Sequence, residues 1–476
     1  MKKFFGDKKF KFGLNATTIT ILIIGLIVLL NIVLYRYSFK KDFTANKTYE
    51  ISQQTKDILK NLDNSGKKVD MLLFTSANYS NYIDYKQKDL IEQLAQQYDK
   101  ASSSLTLQRI DIDKNPAIAE KYAVAYPYEI AFTMGDRSKL VGLSDMFSDE
   151  GFAGEQSMTS ALNYVLNEKP SVLYILQGHK EKNLETDITA LKAYMQREGY
   201  TIKTHSLTAQ GKIPDDASAV IDIGASTEFS ATEIGLLKDY LNGGGKALFL
   251  MNSYFDQPQI SALSDMLKGY GISVNNDIAF DPAANRSVGG SQDIVIPEYQ
   301  DNPVVAKLKD IKYYFMVVPA SRSIDVLPDV KDTTVESLLK TSDESWGETN
   351  INDYNNQKAA FDAADKKGPL NVAVVASKTI APDKEMKIIV SGSDLIISDK
   401  FLQITNCQPN MDFVLNSLAE LTNNKQLISI RPKPYDQKQL TLPTTTQKVM
   451  FIVFVILLPG IVFIIGFIIW LRRRHL

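Results

Sequence analysis

The sequence predicts an α/β protein with a transmembrane helix at each end, and two observations lead to this fold class. Long uncharged apolar runs lie near both ends of the chain, at 14–35 and 449–471. Between them, short apolar segments typical of buried strands alternate with segments of helical periodicity. Strands and helices in alternation predict a parallel, doubly wound sheet with helices on both of its faces.

The two apolar runs have the length of membrane spans. A helix rises about 1.5 Å per residue and the hydrocarbon core of a bilayer is roughly 30 Å thick, so each run can cross it once. Lysine and arginine are retained on the cytoplasmic side of a membrane. Basic residues occupy both terminal tails, 1–13 and 472–476: Lys2, Lys3, Lys8, Lys9, Lys11, Arg472, Arg473 and Arg474. We therefore expect a two-pass protein of the cell membrane, with both termini cytoplasmic and the central region extracytoplasmic.

An alternative stays open at the N-terminal run. Arg36, Lys40 and Lys41 weaken the charge asymmetry that would orient this helix. A cleaved signal peptide could replace the anchor, but the apolar region of such a peptide is normally about 7 to 15 residues and ends at a small-x-small site. The run here is longer and continues into Tyr35, Arg36 and Tyr37. The sequence therefore favours an uncleaved anchor.

Charge and composition exclude several classes of protein. The formal net charge of -2 and the pI near 6.1 give no basic surface for nucleic acid. The single cysteine, Cys407, cannot form an intrachain disulfide, and three histidines are too few for a Cys/His zinc cluster. No cofactor and no metal ion are expected. The length between the spans suggests two or three domains, which apolar cores must stabilise.

Residues 36–150 form the first predicted domain. A helix leads off the membrane, and a β-α-β unit then precedes a proline-preceded strand and a hairpin. The predicted elements are the helix 44–62, the strands 69–74 and 105–112 around the helix 86–98, a short helix 117–122, and the strands 126–133 and 139–142. From residue 67 to residue 142 this order resembles the distal part of a thioredoxin fold.

The chemistry of thioredoxin is nevertheless excluded. The loop from Thr75 to Ser80 has no Cys-x-x-Cys, and thiol-disulfide exchange needs a thiolate nucleophile and a resolving thiol. The first domain is left with a binding or scaffold role. The resemblance also implies a cis peptide bond between Tyr126 and Pro127, a state that X-Pro bonds adopt at modest cost.

Residues 151–430 form the second predicted domain, in which strands and helices alternate. Helices are predicted at 155–166, 184–198 and 230–242, and strands at 171–176, 200–205, 219–224 and 246–251. Strands at 370–376 and 386–390 and a helix at 411–421 follow, before a linker at 431–448. Between 281 and 368 we predict only short elements at 304–308, 313–318 and 335–339, and a polar surface loop at 342–358.

The glycine run from Gly243 to Gly245 superficially resembles a phosphate-binding loop. Such a loop needs a glycine five residues before the Gly-Lys pair and a Ser or Thr after it, to hold phosphate and Mg²⁺. These positions are Tyr240 and Ala247, and the glycines follow a helix where the motif requires a strand. The sequence predicts a turn at the end of a helix and no ATPase chemistry.

The sharpest candidate site is the loop that contains Gly178, His179 and Glu181, after the strand 171–176. Open α/β sheets usually bind ligands at the carboxyl ends of their strands, and His179 could act as a base or ligand that Glu181 orients. Two interpretations stay open: these residues bind a ligand or partner, or they only shape the loop and its helix contact. Catalysis is disfavoured because no Ser or Cys nucleophile follows a strand.

Two weaker candidates have structural alternatives. Asp111 and Asp113 alternate at the end of a strand, where paired carboxylates could hold Ca²⁺ or Mg²⁺. The alternative is a solvated strand end with Asp113 capping the next helix. The turn from Ser391 to Asp394 could bind an anion through its backbone amides, or it could be a structural turn alone. The structural alternative is favoured in both cases.

Six segments in order carry a resemblance to a known family. They are KDFTANKTYEISQQTKDILKNL, GEQSMTSALNYVL, LQGHKE, YLNGGGKALFLMN, IIVSGSDLIISDKFL and NMDFVLNSLAEL, with a basic tail after the final helix. Together they resemble the GldG-like family, auxiliary components of ABC-type transport systems first linked to gliding motility. The resemblance implies an extracytoplasmic module related to the glutaminase-like domains of intraflagellar transport proteins, without a nucleophile. It also implies two partners, an ABC permease and a separate cytoplasmic ATPase.

Three functions remain open. In the first, the protein is a non-catalytic transport subunit whose anchors lie in membrane lipid beside permease helices, and whose outer domains bind substrate, a cell-envelope ligand or another subunit. In the second, it is a cell-envelope hydrolase. In the third, it is a stand-alone membrane-tethered binding protein. The missing nucleophile favours the first function, as does a second anchor with Gly460 and Gly466, where small residues permit close helix approach.

Overall fold

A computed structural model describes residues 50–148, 151–167, 170–252, 261–288, 290–310, 315–328, 330–382, 384–405, 408–423 and 449–474, with isolated positions between 21 and 29. Helices and several sheets alternate along this part of the chain, which confirms the predicted α/β class. Cys407, the linker 431–448 and most of the N-terminal run lie outside the described residues.

The first sheet contains four strands in the order β2-β1-β3-β4. They are β1 (Val69–Thr75), β2 (Leu105–Asp111), β3 (Ile130–Met134) and β4 (Arg137–Val141). β1 runs parallel to β2 and antiparallel to β3, and β3 forms a hairpin with β4. The accompanying helices are α1 (Gln53–Ser65), α2 (Tyr85–Ala101) and α3 (Pro116–Lys121). The predicted β-α-β unit and hairpin are confirmed as elements.

Side-chain caps determine where α1 and α2 begin. The hydroxyl of Ser52 accepts a hydrogen bond from the amide of Thr55. Asp84 and Gln87 form a capping box, in which each side chain accepts a bond from the backbone amide of the other. The two helices pack on the sheet around Tyr98, one of the largest fully buried side chains. Local sequence thus sets the helix starts, and apolar burial holds the helices in place.

The helix α5 (Gly154–Leu166) completes the core of the first sheet. It follows α4 (Leu143–Met146) and a small hairpin of β5 (Phe147–Ser148) and β6 (Gly151–Phe152). The sequence predicts this helix at the start of the second domain, whereas it packs against β3 and β4. The Tyr98 hydroxyl donates to the Glu155 carbonyl at 3.0 Å and lies 2.5 Å from the Thr159 hydroxyl.

The expected cis bond between Tyr126 and Pro127 is wrong. Among the described residues, the cis peptide bond is at Gly368–Pro369, and the Tyr126–Pro127 bond is trans. The backbone turns instead through a positive φ of 69° at Tyr128. Its amide donates to the Phe74 carbonyl and so begins the pairing beside β1.

The second sheet has ten strands. Eight follow the order β11-β17-β21-β22-β10-β9-β7-β8, β18 pairs with β21, and β15 pairs with β18. The strands are β7 (Val172–Leu176), β8 (Thr201–His205), β9 (Ala217–Ile223), β10 (Lys246–Leu250), β11 (Ile272–Val274), β15 (Glu298–Tyr299), β17 (Ile324–Val326), β18 (Thr334–Lys340), β21 (Asn371–Ala381) and β22 (Lys384–Ser391).

The prediction of a parallel sheet holds for only part of these strands. β22, β10, β9, β7 and β8 are parallel neighbours. β21 pairs antiparallel with β22, and β17, β18, β11 and β15 extend the sheet with antiparallel pairs. The sheet is therefore mixed: its parallel half agrees with the prediction, whereas the antiparallel pairing of β21 and the strands beyond it does not.

Helices cover both faces of the parallel half. The described helices after β7 are α6 (Thr189–Arg197), α7 (Leu207–Gln210), α8 (Ala231–Asn242), α9 (Ser261–Lys268), α10 (Pro303–Ala306), α11 (Ile351–Asn355), α12 (Asp399–Thr405) and α13 (Gln408–Leu421). Of these, α11 does not cover the large sheet, because its Tyr354 packs against Phe280. One core joins Leu173 and Ile175 of β7 to α6 and α13, and the other joins Tyr174 and Leu176 to α8 and α9. This alternation follows from the two-residue period of a strand and confirms double winding.

Two small sheets lie between 278 and 367. One is β12 (Ile278–Phe280), β19 (Trp346–Glu348) and β20 (Lys366–Lys367), and the other is β13 (Ser287–Val288), β14 (Ser291–Val295) and β16 (Val318–Pro319). The predicted surface loop 342–358 is wrong, because β19 and α11 occupy it. Trp346 is buried and stacks on Phe280 with ring centroids 5.3 Å apart.

One described helix is long and apolar enough to cross a membrane, and it runs over Val449–Arg472. It contains a π-helical stretch at Ile452–Leu457, followed by α14 (Leu458–Arg474). In the most apolar 18-residue stretch of this helix, no residue is buried against the rest of the structure. A continuous apolar surface of this kind is expected where lipid is the solvent.

Candidate functional site

The candidate loop leaves β7 at the carboxyl edge of the parallel strands and is tied to two neighbouring strands. Gln177 donates its amide to the carbonyl of His205 at the end of β8, and Lys182 donates to the carbonyl of Ile223 at the end of β9. Gly178 has a φ of 134°, which only glycine adopts readily. The predicted position at the sheet edge is therefore confirmed, and backbone bonds hold the loop in one shape.

His179 points into the protein. Its side chain is 7% exposed, and its ring stacks on Phe229 with centroids 3.8 Å apart. The Nε2 atom lies 3.3 Å from Glu233 Oε2, and the Nδ1 atom lies 3.5 Å from Glu181 Oε1. Phe229 lies just before α8 and Glu233 lies in its first turn, so His179 joins the loop to the start of a helix. This contact is the helix-entry role that the sequence left open.

Glu181 holds the backbone of the same loop. Its Oε2 atom accepts hydrogen bonds from the amides of Gly178 at 2.9 Å and His179 at 2.8 Å. The Oε1 atom is buried and accepts no hydrogen bond from the described residues. One carboxylate thus closes the turn with one oxygen and faces the imidazole with the other.

The Glu233 carboxylate accepts hydrogen bonds from Thr208 and Ser230. Burial alone would raise its pKa, but hydrogen bonds from Thr208 and Ser230 and the nearby His179 outweigh burial and lower the pKa to about 2. Ser230 donates to it from its amide at 2.9 Å and from its hydroxyl at 2.8 Å. Ser230 and Glu233 form a capping box at the start of α8, and the glutamate has a second role beside His179.

Two more carboxyl groups lie near the loop, and the sequence did not connect them. Asp222 is fully buried in β9, where burial raises its pKa well above the usual value, and Glu181 and Asp394 raise it further. Asp394 follows β22 and lies 3.4 Å from the Lys182 ammonium. Gly224 has a φ of 71°, and a Cβ atom there would overlap the Asp394 carboxylate. The edge therefore gathers acidic groups from three strands.

This arrangement supports a structural loop better than a reaction centre. The imidazole is enclosed by two carboxylates and a phenyl ring, so a substrate would have to displace one of them to reach it. Within the described ranges, no group of three or more His, Cys, Asp or Glu side chains has the geometry to hold a metal ion. Binding by Gly178, His179 and Glu181 stays a prediction.

The two weaker candidates have local partners. Asp111 pairs with Lys114 at 2.9 Å, and this contact lowers the pKa of Asp111. Asp113 accepts a hydrogen bond from the Ser76 hydroxyl at 2.7 Å, and the N-cap residue of α3 is Asn115, so the expected cap by Asp113 is wrong.

The turn after β22 is buried. Ser393 donates its hydroxyl to the Pro319 carbonyl at 2.6 Å, and a side chain at Gly392 would overlap the backbone of Arg322. The structural alternative fits this turn.

Sequence reasoning missed a polar cavity of about 230 Å³ beside the carboxyl end of β10. Arg322 lies at its wall, largely buried, and donates to the Asn252 carbonyl at 2.7 Å and to Asn276 Oδ1 at 3.0 Å. Burial lowers the pKa of this guanidinium, while Asp277 and Asp394 oppose the shift. The only sequence signal was an arginine beside the apolar strand β17, in a region whose organisation was not predicted.

Comparisons with known proteins give relatives along most of the chain. A protein of Borreliella burgdorferi, described as an uncharacterized protein, is 22% identical over 502 aligned positions, covering 92% of this chain and 94% of that protein. The mmIFT52 N-terminal domain is 19% identical with a TM-score of 0.38, covering 52% of this chain and 97% of that domain. The exo-beta-1,4-mannosidase Op5Man5 from an Opitutaceae bacterium is 9% identical with a TM-score of 0.27, covering 72% of this chain and 50% of that enzyme. Both scores are too low to establish a shared fold.

A family profile described as an ABC-type uncharacterized transport system matches residues 170–429. This range is more than half of the chain and includes every strand of the ten-stranded sheet, the candidate loop and the cavity beside Arg322. The chain therefore belongs to this family of auxiliary components of ABC-type transport systems.

Proposed function

We propose that the protein is a non-catalytic, membrane-anchored auxiliary subunit of the GldG-like type in an ABC-type transport system. One observation carries the proposal: a chain of the auxiliary family also has a helix whose apolar surface is wholly exposed. Such a helix needs lipid or other apolar helices around it. A subunit that lies beside a permease supplies both.

We further propose a two-pass topology with the central region outside the cytoplasm. The arginines at 472–474 follow the apolar helix directly, and lysines precede the N-terminal run. The described positions between 21 and 29 are helical and exposed, as a second span would be. By the positive-inside rule, both tails then lie in the cytoplasm.

In this proposal the first domain is thioredoxin-like and the second is glutaminase-like, and both act by binding. The strand order β2-β1-β3-β4 supports the first assignment, although the trans Tyr126–Pro127 bond departs from it. Residues Gly178, His179 and Glu181 would hold the backbone of a partner-binding loop in shape. The buried position of His179 supports this indirect role over direct contact with a ligand.

The ATPase of the system would be a separate cytoplasmic subunit. The glycines after α8 form a helix C-terminal turn that leads into β10, with a φ of 85° at Gly244, which supports the prediction that they bind no nucleotide. A permease would lie between the two, and lipid would surround the anchors.

Affinity purification of the full chain from native membranes in mild detergent tests this role. We expect a permease and an ATPase to co-purify in fixed ratio, and to be absent when Val449–Leu476 is replaced by an unrelated single-span helix with the same basic tail. Recovery of the chain without either subunit would contradict the proposal and favour the stand-alone binding protein. A hydrolytic activity in the purified chain would favour the cell-envelope hydrolase.

A further inference from the structure

A cluster of tyrosines covers one end of the first sheet, and no role described above uses it. Tyr82, Tyr85 and Tyr126 are 54%, 69% and 46% exposed. Among the other described residues outside the apolar helix Val449–Arg472, only Phe315 and Phe361 are aromatic side chains with comparable exposure. Scattered exposed apolar residues are normal on a soluble surface, whereas a contiguous group marks an interaction site.

Ring contacts and a backbone hydrogen bond connect Tyr79, Tyr82, Tyr85 and Tyr126, here called the tyrosine surface. Tyr82 and Tyr126 have ring centroids 5.5 Å apart, and Tyr79 meets the buried Tyr128 edge to face at 5.6 Å. The Lys88 ammonium lies 4.7 Å from the ring of Tyr79 and 6.0 Å from that of Tyr85. Cation–π and aromatic contacts of this kind hold the rings in fixed positions.

The backbone beneath the tyrosine surface is also held. The Tyr82 amide donates to the Tyr79 carbonyl at 2.9 Å, and the capping box of Asp84 and Gln87 fixes the start of α2. The Glu129 carboxylate accepts bonds from the amides of Ala125 and Tyr126. A surface that is rigid before binding loses little conformational entropy when a partner arrives.

The groups presented to solvent are rings, hydroxyls and amides. No hydrogen bond to another described residue engages the hydroxyls of Tyr82, Tyr85 and Tyr126 or the side-chain amides of Asn78 and Asn81. Tyrosine supplies amphipathic contact area with only two side-chain torsions to fix, and Asn and Ser supply adaptable hydrogen bonds. Charged side chains are a minority here, so the surface suits a partner recognised by ring contacts and neutral hydrogen bonds.

The size of the surface indicates a short segment of chain as occupant. A buried tyrosine contributes roughly 150–250 Å², so three half-exposed rings offer on the order of 300 Å². A standard interface between folded proteins buries about 800 Å² per partner. The exposed rings alone therefore fall well short of a domain-sized interface.

The surrounding fold limits which conformation the bound segment can adopt. β1 and β3, whose ends form the surface, are inner strands, so no free strand edge is available there for an added strand. An amphipathic helix buries its apolar face in a hydrophobic groove, whereas each exposed ring here carries a polar hydroxyl. An acidic or phosphorylated segment needs an arginine cluster. Polyproline II recognition remains, in which proline rings lie between aromatic rings and tyrosine hydroxyls donate to backbone carbonyls that have no internal partner.

The lipid surface is a poorer occupant. The chain enters the first domain at Ile51, whose amide donates to the side chain of Gln97 near the end of α2. Tyr85 begins the same helix, and a helix rises about 1.5 Å per residue, which places the tyrosine surface about 18 Å from this entry. The tyrosine surface therefore lies at the opposite end of α2 from Ile51, and in the proposed topology the N-terminal anchor precedes Ile51 in the chain.

We propose that the tyrosine surface docks an extended, proline-rich peptide segment of a partner protein. The interaction does not depend on the transport role, because it concerns only the first domain. Binding is measured by fluorescence anisotropy on the full chain in detergent micelles, with a labelled ten-residue polyproline peptide. A glycine-serine peptide of equal length and chitohexaose serve as comparison probes.

We expect saturable binding of the polyproline peptide and none of the glycine-serine peptide. Tyr82→Ala and Tyr126→Ala should each weaken binding at least about tenfold, since central aromatic residues dominate small interfaces. Tyr82→Phe keeps the ring and removes one donor, so the loss should be about threefold. Phe361→Ala, which removes a 56% exposed ring in the second domain, should leave affinity unchanged.

Three results would overturn the proposal: no binding of polyproline at millimolar peptide, binding that survives both alanine substitutions, or saturable binding of chitohexaose in its place. The last result would assign the surface to glycan. Because the substituted rings are exposed, the variants should keep the circular dichroism spectrum and melting temperature of the parent protein.

Discussion

The buried carboxyl group of Glu198 links α5, which packs on the first sheet, to α6, which packs on the second sheet. Gln156 and Ser160 of α5 donate to it at 3.1 and 3.5 Å, and the residue follows α6 directly. Burial raises the pKa of Glu198 to about 7, although the hydrogen bond from Gln156 opposes the shift. The group is therefore close to half-protonated at neutral pH, where most carboxyl groups are fully ionised.

The free energy of unfolding should fall as pH rises from about 4.5 to about 7. In that window the unfolded chain releases the Glu198 proton while the native chain retains it. The free energy of unfolding therefore falls by about 3 kcal/mol in total. Glu198→Gln stays neutral and should lack this fall. Urea unfolding of both proteins in detergent micelles, at pH 4.5 and 8, measures the difference, and parallel pH profiles would contradict the assignment.

His179→Ala should destabilise the protein by about 2–4 kcal/mol. The substitution removes a ring stacked on Phe229 and leaves Glu181 and Glu233 facing a buried space. His205→Ala is the matched control, because His205 is equally buried but bonds to the Gly211 carbonyl, without a carboxylate pair. A smaller loss, about 1–2 kcal/mol, is expected there.

The same His179 variant distinguishes the two interpretations of the loop, a structural role and a direct binding role. If the loop is structural, His179→Ala should still co-purify with its partners at temperatures where it remains folded. Unchanged stability together with lost partners would instead show that His179 itself makes the binding contact. Thermal unfolding and quantitative co-purification on one preparation provide both readouts.

Single residues show how far local sequence could predict the candidate site. The position of Gly178, His179 and Glu181 followed from a strand, a glycine and the rule that loops at carboxyl edges gather functional groups. The contact between Gly224 and Asp394 could not be predicted, because β9 and β22 are distant in sequence and come together only on the two sides of β10 in the completed sheet. Arg322 was missed for the same reason, since its partners come from distant segments.

At the scale of elements, strong periodicity and helix caps are sufficient to predict those helices and strands that pack against their neighbours in the sequence. The sequence predicts β7 to β10 together with α6 and α8, because each βα unit carries its own apolar pattern and turn residues, whereas it misses the one-turn helix α7. In the antiparallel half, the sequence predicts β21 as a strand but misses β11 and β17, because these have three residues each and are stabilised by pairing with distant strands. β19 lies in a polar stretch, and only burial of Trp346 against β12 makes it a strand.

The apolar helix at Val449–Arg472 gives a prediction for an element. Ile461→Arg places a charge near its middle, which costs roughly 3 kcal/mol of insertion free energy. In the proposed topology, a C-terminal epitope tag is inaccessible from outside intact cells in the parent protein. It should become accessible to external protease in Ile461→Arg, and Ile461→Leu should behave as the parent. An inaccessible tag in all three proteins would argue against a span at this helix.

At the scale of the whole molecule, the folded body and the apolar helix are energetically separate. The body has its own cores on both faces of the large sheet and around the first sheet, whereas the apolar window of the helix is not buried against it. Removing the helix should therefore change attachment to the membrane without changing the fold. The same holds for the N-terminal run if it is an anchor.

Deletion variants can count the anchors. Removal of 449–476 alone or of 1–35 alone should leave the protein in the membrane pellet after carbonate extraction, because one span suffices to hold it. Removal of both should release a soluble protein whose melting temperature lies within a few degrees of the full chain, since no described core residue is lost. Release after removal of 449–476 alone would show that the N-terminal run is not an anchor. The two-pass topology would then be wrong, whereas an extracytoplasmic position of both domains would still fit the cleaved signal peptide that the sequence left open.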